Sequence, residues 1–168
     1  MRRKELIPGI IEDLREKFGE AILETTEHAG DQITRIALGS IHDVCKYLKE
    51  NHHFVYLVDM IATDRFTAED RFEVIYHMVS LKTGARLFIR TWVSEENPVV
   101  PTVTDIWQGA NWNEREAWDM FGIKFHGHPD LRRMFMPEDF QYHPLRKEFP
   151  LLGIPGSLSL PTTTPDSE

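Results

Sequence analysis

The sequence predicts a two-layer α+β fold, a mostly antiparallel mixed sheet with helices on one face, followed by one more helix and an extended C-terminal arm. Three observations carry this. Two short stretches repeat apolar residues at helical spacing, and five others are rich in β-branched and aromatic residues between turn signals. The elements run helix, two strands, helix, three strands, with short connections that favour antiparallel neighbours. A chain of 168 residues with 41% hydrophobic content is long enough to bury a real core.

Leu6, Ile7, Ile10, Ile11, Leu14 and Phe18 define a first helix over about 8–18, with Pro8 in its first turn and Gly19 as its stop. "AILETTE" and "QITRIAL" read as strands joined by "HAGD". Ser40 and Asp43 resemble a capping box, and Ile41, Val44, Cys45 and Leu48 share one face of a second helix, about 41–50. "FVYLVDMIATD" is a strand, and "RFEVIYHMVSL" and "ARLFIRTWV" form a hairpin around "KTG". These elements make a sheet domain over 1–100.

The composition changes after Val93. "SEENPVVP" reads as a linker and "TVTDIWQG" as one short helical turn. In "NWNEREAWDMFG", Asn111 is placed to cap a helix with Glu114 reaching back to it, and Gly122 to end that helix at positive φ. Seven of the ten prolines lie at or beyond Pro129, interleaved with Met134, Phe135, Met136, Phe140, Tyr142, Leu145 and Phe149. Such a stretch cannot form a long helix or a central strand. Residues 101–151 therefore read as a helix plus a docking arm, and 152–168 as a disordered tail.

Composition also excludes classes. The net charge of −8 argues against a nucleic-acid protein. The single cysteine, Cys45, permits no intrachain disulfide and cannot alone hold an iron–sulfur cluster; its place on an apolar helix face marks it as core. No apolar run reaches the length of a membrane span, and the N-terminal apolar run is broken by Glu12 and Asp13 too early for a secretory signal. Neither glycine-rich nucleotide loop is present.

The chemistry-bearing residues cluster late. His126, His128 and Asp130, with His143 beyond, are candidate metal ligands, but spacing fixes no third ligand; the plainer reading is a turn whose imidazoles bond to backbone or to Asp130. Glu114, Glu116 and Asp119 are candidate acid–base groups, but no nucleophile accompanies them, and Arg115–Asp119 at i, i+4 reads as an ordinary helix pair. From Lys124 to Lys147 the chain is locally basic and rich in Arg, Met, Phe and Tyr, the residues that buried interfaces enrich. The residues alone thus point to a binding module. Its expected interface is Arg132, Arg133, Phe135, Met136, Phe140, Tyr142, Arg146, Lys147 and Phe149, with the arginines and Lys147 meeting partner carboxylates. The arm is expected to stay mobile until a partner supplies apolar surface and hydrogen bonds.

"EREAWDMFGIKFHGHPDLRRM", Glu114–Met134, resembles the signature motif of the 30 kDa, or C-type, subunit family of NADH-quinone oxidoreductase, respiratory complex I. "PTVTDIWQGANW" before it and "HPLRKEFPL" after it are similar to the same family, so the likeness is close over 101–151. Glu114, Arg115, Glu116, Asp119, Gly122, Gly127, His128 and Pro129 are the motif positions. The resemblance implies a cofactor-free subunit of the peripheral arm, on the cytoplasmic side of a bacterial inner membrane, beside the larger sister subunit that helps form the quinone site. NAD, FMN, iron–sulfur clusters and quinone would belong to the complex. The alternative is the equivalent subunit of a membrane-bound hydrogenase, a formate hydrogenlyase or a photosynthetic NDH complex; an enzyme using Glu114, Glu116 and the histidines is more distant.

Overall fold

A computed structural model describes residues 9–67, 69–151 and 153. Pro8 and, apart from Gly153, the tail predicted over 152–168 lie outside the described residues. The elements are α1 (Ile10–Phe18), β1 (Ile22–His28), β2 (Asp31–Ile36), α2 (Ile41–His52), β3 (Tyr56–Asp64), β4 (Phe72–Val79), β5 (Arg86–Val93), β6 (Val99–Pro101), α3 (Ala110–Phe121) and β7 (Lys124–His126).

Five strands form one sheet in the order β1-β2-β5-β4-β3. All neighbours are antiparallel except β2 and β5, which run parallel with Ile33 beside Phe88 and Arg35 beside Arg90. The parallel pair follows from α2. It carries the chain from β2 to the far edge, and the β3–β4–β5 meander then returns to β2. Alternation decides the faces. Phe72, Val74, Tyr76 and Met78 of β4 and Leu87, Ile89 and Val93 of β5 are buried. Ile10, Ile11 and Leu14 of α1 and Ile41, Val44, Cys45 and Leu48 of α2 are buried with them, at helical spacing. The other face of the sheet carries Ile33, Arg35, Glu73, Ile75, His77, Phe88, Arg90 and Trp92, all partly exposed. The predicted mixed sheet is present.

One core cluster continues into the later segment through Val100, Val103, Ile106, Trp107, Met120, Phe121, Ile123 and Phe125. The Trp107 indole N–H donates to the Phe54 carbonyl at 3.2 Å, and α3 lies against β3, where Asn113 donates to Asp59 at 2.9 Å. Among the described residues no helix is long and apolar enough to cross a membrane.

Three local expectations are corrected. The "SEENPVVP" linker ends as β6, a parallel partner of β7 with Val100 beside Phe125; three-residue strands are too short to show alternation. Ser40 makes no side-chain cap bond and instead ends a 3₁₀ turn, Leu38–Ser40, that leads straight into α2. Asn111 does not cap α3 either. That helix starts two residues earlier than such a cap would allow, at Ala110 after Gly109, and Glu114 turns inward. At α3 the tertiary donors Thr102 and Val103 outcompete local capping for Glu114.

Candidate functional site

The motif residues meet around α3, and each is fixed by a partner within the chain. Asp119 is the centre and is fully buried. Its Oδ2 accepts the backbone N–H groups of Met134, Phe135 and Met136 at 3.0, 2.7 and 3.0 Å, and its Oδ1 accepts from Arg133 at 2.6 Å. Three successive amides can converge on one oxygen because the chain there bends through a tight turn, the anion-binding nest that a carboxylate fits. Burial alone would raise the Asp119 carboxyl. The three amides and the Arg133 guanidinium outweigh it and hold the group below the usual carboxylate range.

Arg115 does not pair with Asp119 one turn on, as its spacing suggested. Its guanidinium reaches the carbonyls of Arg132 and Arg133, both at 3.1 Å, and closes the same turn from the other side. Gly122 ends α3 at φ 79°, ψ 18°, its N–H donating to the Trp118 carbonyl at 2.8 Å, as the sequence predicted. The missing side chain has a second use. A Cβ there would stand 2.6 Å from both Arg146 Nη2 and His143 Nε2. These two side chains lie over the helix end, where His143 Nδ1 donates to the Asp119 carbonyl at 3.0 Å and Arg146 Nε to the Phe121 carbonyl at 2.7 Å. Cationic groups here also answer the negative end of the helix. Burial lowers the His143 pKa below the ordinary histidine value, so its charge share is small at neutral pH.

Glu114, on the inward side of α3, is fully buried, and its hydrogen-bond partners are uncharged. Its Oε1 accepts from the Val103 N–H at 2.8 Å and its Oε2 from the Thr102 hydroxyl at 2.6 Å. Burial pushes its pKa up to about 7, against the lowering effect of those two donors. His128 receives the Asp130 N–H on Nδ1 at 3.0 Å and directs Nε2 at the Asn111 carbonyl at 3.3 Å. Burial lowers its pKa, which suits a neutral ring with both nitrogens used. Gly127 takes φ 85°, and Glu116, His126 and Pro129 are exposed. His126, His128, Asp130 and His143 do not converge; among the described residues no group of three or more His, Cys, Asp or Glu could hold a metal ion.

A second node holds the far end of the arm and had no sequence signal. Asp64, buried at the end of β3, pairs with Arg71 at 2.6 Å and accepts the Lys147 N–H at 2.8 Å. Arg71 also takes Glu95 and Glu148. The Arg71 guanidinium holds the Asp64 carboxyl down to about 2.

The expected partner interface therefore divides. Met136 packs against the core, Phe140 and Phe149 each meet Tyr142 edge to face, and Arg133 and Arg146 are taken by groups of this chain. Phe135, Tyr142, Arg132 and Lys147 face outward, Arg132 with a 2.9 Å contact to Asp130. The expectation that a partner must supply the arm's hydrogen bonds is corrected. Asp119, Arg115 and Asp64 supply side-chain partners where no strand could.

Residues 34–154 match the family described as respiratory-chain NADH dehydrogenase, 30 Kd subunit. The chain is 42% identical over 144 residues to the C subunit of NADH-quinone oxidoreductase from Roseiflexus sp. (strain RS-1), covering 84% of this chain and 83% of that one. Among solved structures it is similar to a trypsin-resistant fragment (1-134) of Nqo5, with 35% identity, TM-score 0.63, and coverage of 73% of this chain and 98% of that one. It is also similar to a chain of the membrane-bound sulfane sulfur reductase, an archaeal respiratory membrane complex, with 25% identity, TM-score 0.73 and 85% of each chain covered.

Proposed function

The chain belongs to the 30 Kd subunit family of respiratory-chain NADH dehydrogenase, and from that premise we propose that it is a non-catalytic, cofactor-free subunit in the peripheral arm of a proton-pumping NADH:quinone oxidoreductase. It sits on the cytoplasmic side of a bacterial inner membrane and supports assembly beside the larger sister subunit that helps form the quinone site. One observation carries the reading. The buried ionisable groups of the motif are occupied by structural partners: Asp119 by four donors, Arg115 by two carbonyls, Glu114 by two donors and His128 by two backbone groups. General acid–base work needs a group with a site free for substrate. These groups instead shape a turn and present Phe135, Tyr142, Arg132 and Lys147 outward, an apolar and cationic surface of the kind that anchors partners.

The likeness to the archaeal sulfane sulfur reductase favours a second reading, the equivalent subunit of a membrane-bound complex with another electron donor. Purification of membranes through a tag on this chain separates the two. Co-purifying NADH:quinone activity with flavin and iron supports the first reading. A co-purifying complex inert towards NADH supports the second, and a chain recovered alone with stoichiometric metal overturns both.

A further inference from the structure

The motif and its arm gather around α3 and the end of β3. The face of the sheet that no helix covers is built differently. Trp92 of β5 stands there opposite Glu73 of β4, and its indole N–H donates to Glu73 at 3.2 Å. Arg35 from the neighbouring β2 and Arg65 from the end of β3 each place a guanidinium carbon 3.8 Å from the Trp92 ring centroid. Two such groups cannot share one face of a ring at that height, so the indole lies between them. Arg90 lies beside them, 6.0 Å from the same ring.

The counter-charges do not match. Glu24 and Glu73 face Arg90, at 3.2 and 3.5 Å. Arg35 and Arg65 have no carboxylate within salt-bridge distance among the described residues. Arg65 has only a long 3.5 Å contact to the Asp70 carbonyl. Two like charges are thus held on either side of one ring in a chain of net charge −8 that has acids to spare. With no carboxylate of this chain on them, their N–H groups are left to take carboxylates from outside. A groove of about 380 Å³ runs beside the stack, lined by Leu23, Arg35, Leu38, Trp92 and Asn97 with Asp70 as its one acidic residue. Ile61 and Leu23, both about half exposed, extend the surface across the sheet.

We propose that this helix-free face, centred on the Arg35–Trp92–Arg65 stack, is a docking site for a carboxylate-bearing segment of a neighbouring subunit. Charge complementarity names the occupant. Two fixed guanidinium forks on an aromatic anchor select paired Asp or Glu side chains, and the flanking apolar residues receive the rest of that segment. The stack adjoins the far end of the arm, since Arg65 follows Asp64 in the chain and its N–H donates to the Arg71 carbonyl at 2.9 Å, while the Asp119 turn is a separate point, so the chain would hold one neighbour at two points or two neighbours. The proposal rests on the subunit reading above.

Labelling with phenylglyoxal, which modifies accessible arginine, tests it without altering the sequence. Arg35 and Arg65 are followed by mass spectrometry in the isolated full-length chain, in the intact complex, and in the chain mixed with phosphatidylglycerol vesicles. Strong labelling in the isolated chain, about fivefold or greater protection in the complex, and loss of that protection as salt is raised are the expected result. Equal labelling in chain and complex overturns the docking site alone. Protection by the vesicles overturns it in favour of a lipid phosphate. A chain that joins no complex overturns the subunit reading and this one with it. Two variants give an independent reading. Arg35→Gln/Arg65→Gln should leave the complex at lower salt than wild type, while Arg35→Lys/Arg65→Lys, which keeps charge but loses the planar fork, should fall between. Salt release identical in all three, with unchanged melting of the isolated chain, contradicts the proposal.

Discussion

Removing the Asp119 carboxylate should free the arm. In Asp119→Ala three backbone amides lose their common acceptor and Arg133 loses its buried partner at 2.6 Å. A buried ion pair broken from one side costs about 3–5 kcal/mol, and each stranded buried amide about 1–3 kcal/mol. These cannot simply add. The segment is only partly buried, so it can peel away and hydrate, and the loss is capped at the energy that docks it. About 3 kcal/mol is the working figure, which raises the population of the open arm by roughly a hundredfold at 1.36 kcal/mol per decade. Trypsin reads this directly, because Arg132, Arg133, Arg146 and Lys147 lie in the arm, and cleavage follows the open population when closing is fast. The wild-type chain should be cut slowly there and Asp119→Ala about a hundredfold faster. Asp119→Asn, which keeps an acceptor for the amides but turns an N–H₂ towards Arg133, should fall between. Cleavage within twofold of wild type in the alanine variant, with unchanged melting, would refute the docking of the arm by Asp119.

Other expectations follow from the same contacts. Gly122→Ala combines left-handed strain of about 1–2 kcal/mol with a Cβ that displaces His143 and Arg146, so it should destabilise by about 2–4 kcal/mol in chemical denaturation and expose the arm at Arg146; a loss under about 1 kcal/mol means those side chains yield without cost. The Glu114 carboxyl is raised from 4.5 to about 7 by folding, so the folded state binds the extra proton between those values, and its contribution to stability falls as pH rises from 4.5 through 7. Glu114→Gln should flatten that slope in thermal melts, and an equal slope in the variant would remove Glu114 as its source. Asp64 behaves oppositely: its carboxyl is depressed to about 2, so its stabilisation is present above the unfolded value near 3.8 and is lost as pH falls through 2. Arg71→Met should weaken this acid-limb dependence and speed cleavage at Lys147; an unchanged acid limb would separate Asp64 from Arg71.

The elements that position the motif were legible because they rest on local periodicity. The succession of helices and strands, the two helix faces and the glycine stop at Gly122 each need only neighbours within a few residues, whereas the parallel pairing of β2 with β5 joins residues such as Ile33 and Phe88 far apart in the chain. What was hidden is long-range. Asp64 meets the Lys147 amide across 83 residues, and Arg71 meets Glu148 across 77. Nothing at Asp64 distinguishes it from a strand-end acid on the surface. Glu114 was misassigned for a related reason. Its position three residues past Asn111 suits a capping box, and only the fold reveals that Val103 and Thr102 offer it better donors inside. The acid pattern of the motif was visible, but its purpose was not. A carboxylate that organises three amides and one that abstracts a proton look alike until their partners are seen.

The central claim is that the motif builds a shape and does no chemistry, and turnover per assembled complex tests it most directly. Asp119→Asn should lower the amount of complex recovered from membranes, while each complex that does assemble turns over NADH and quinone at the wild-type rate. Complex recovered in full yield but with turnover lowered tenfold or more would place Asp119 in the reaction and contradict the account.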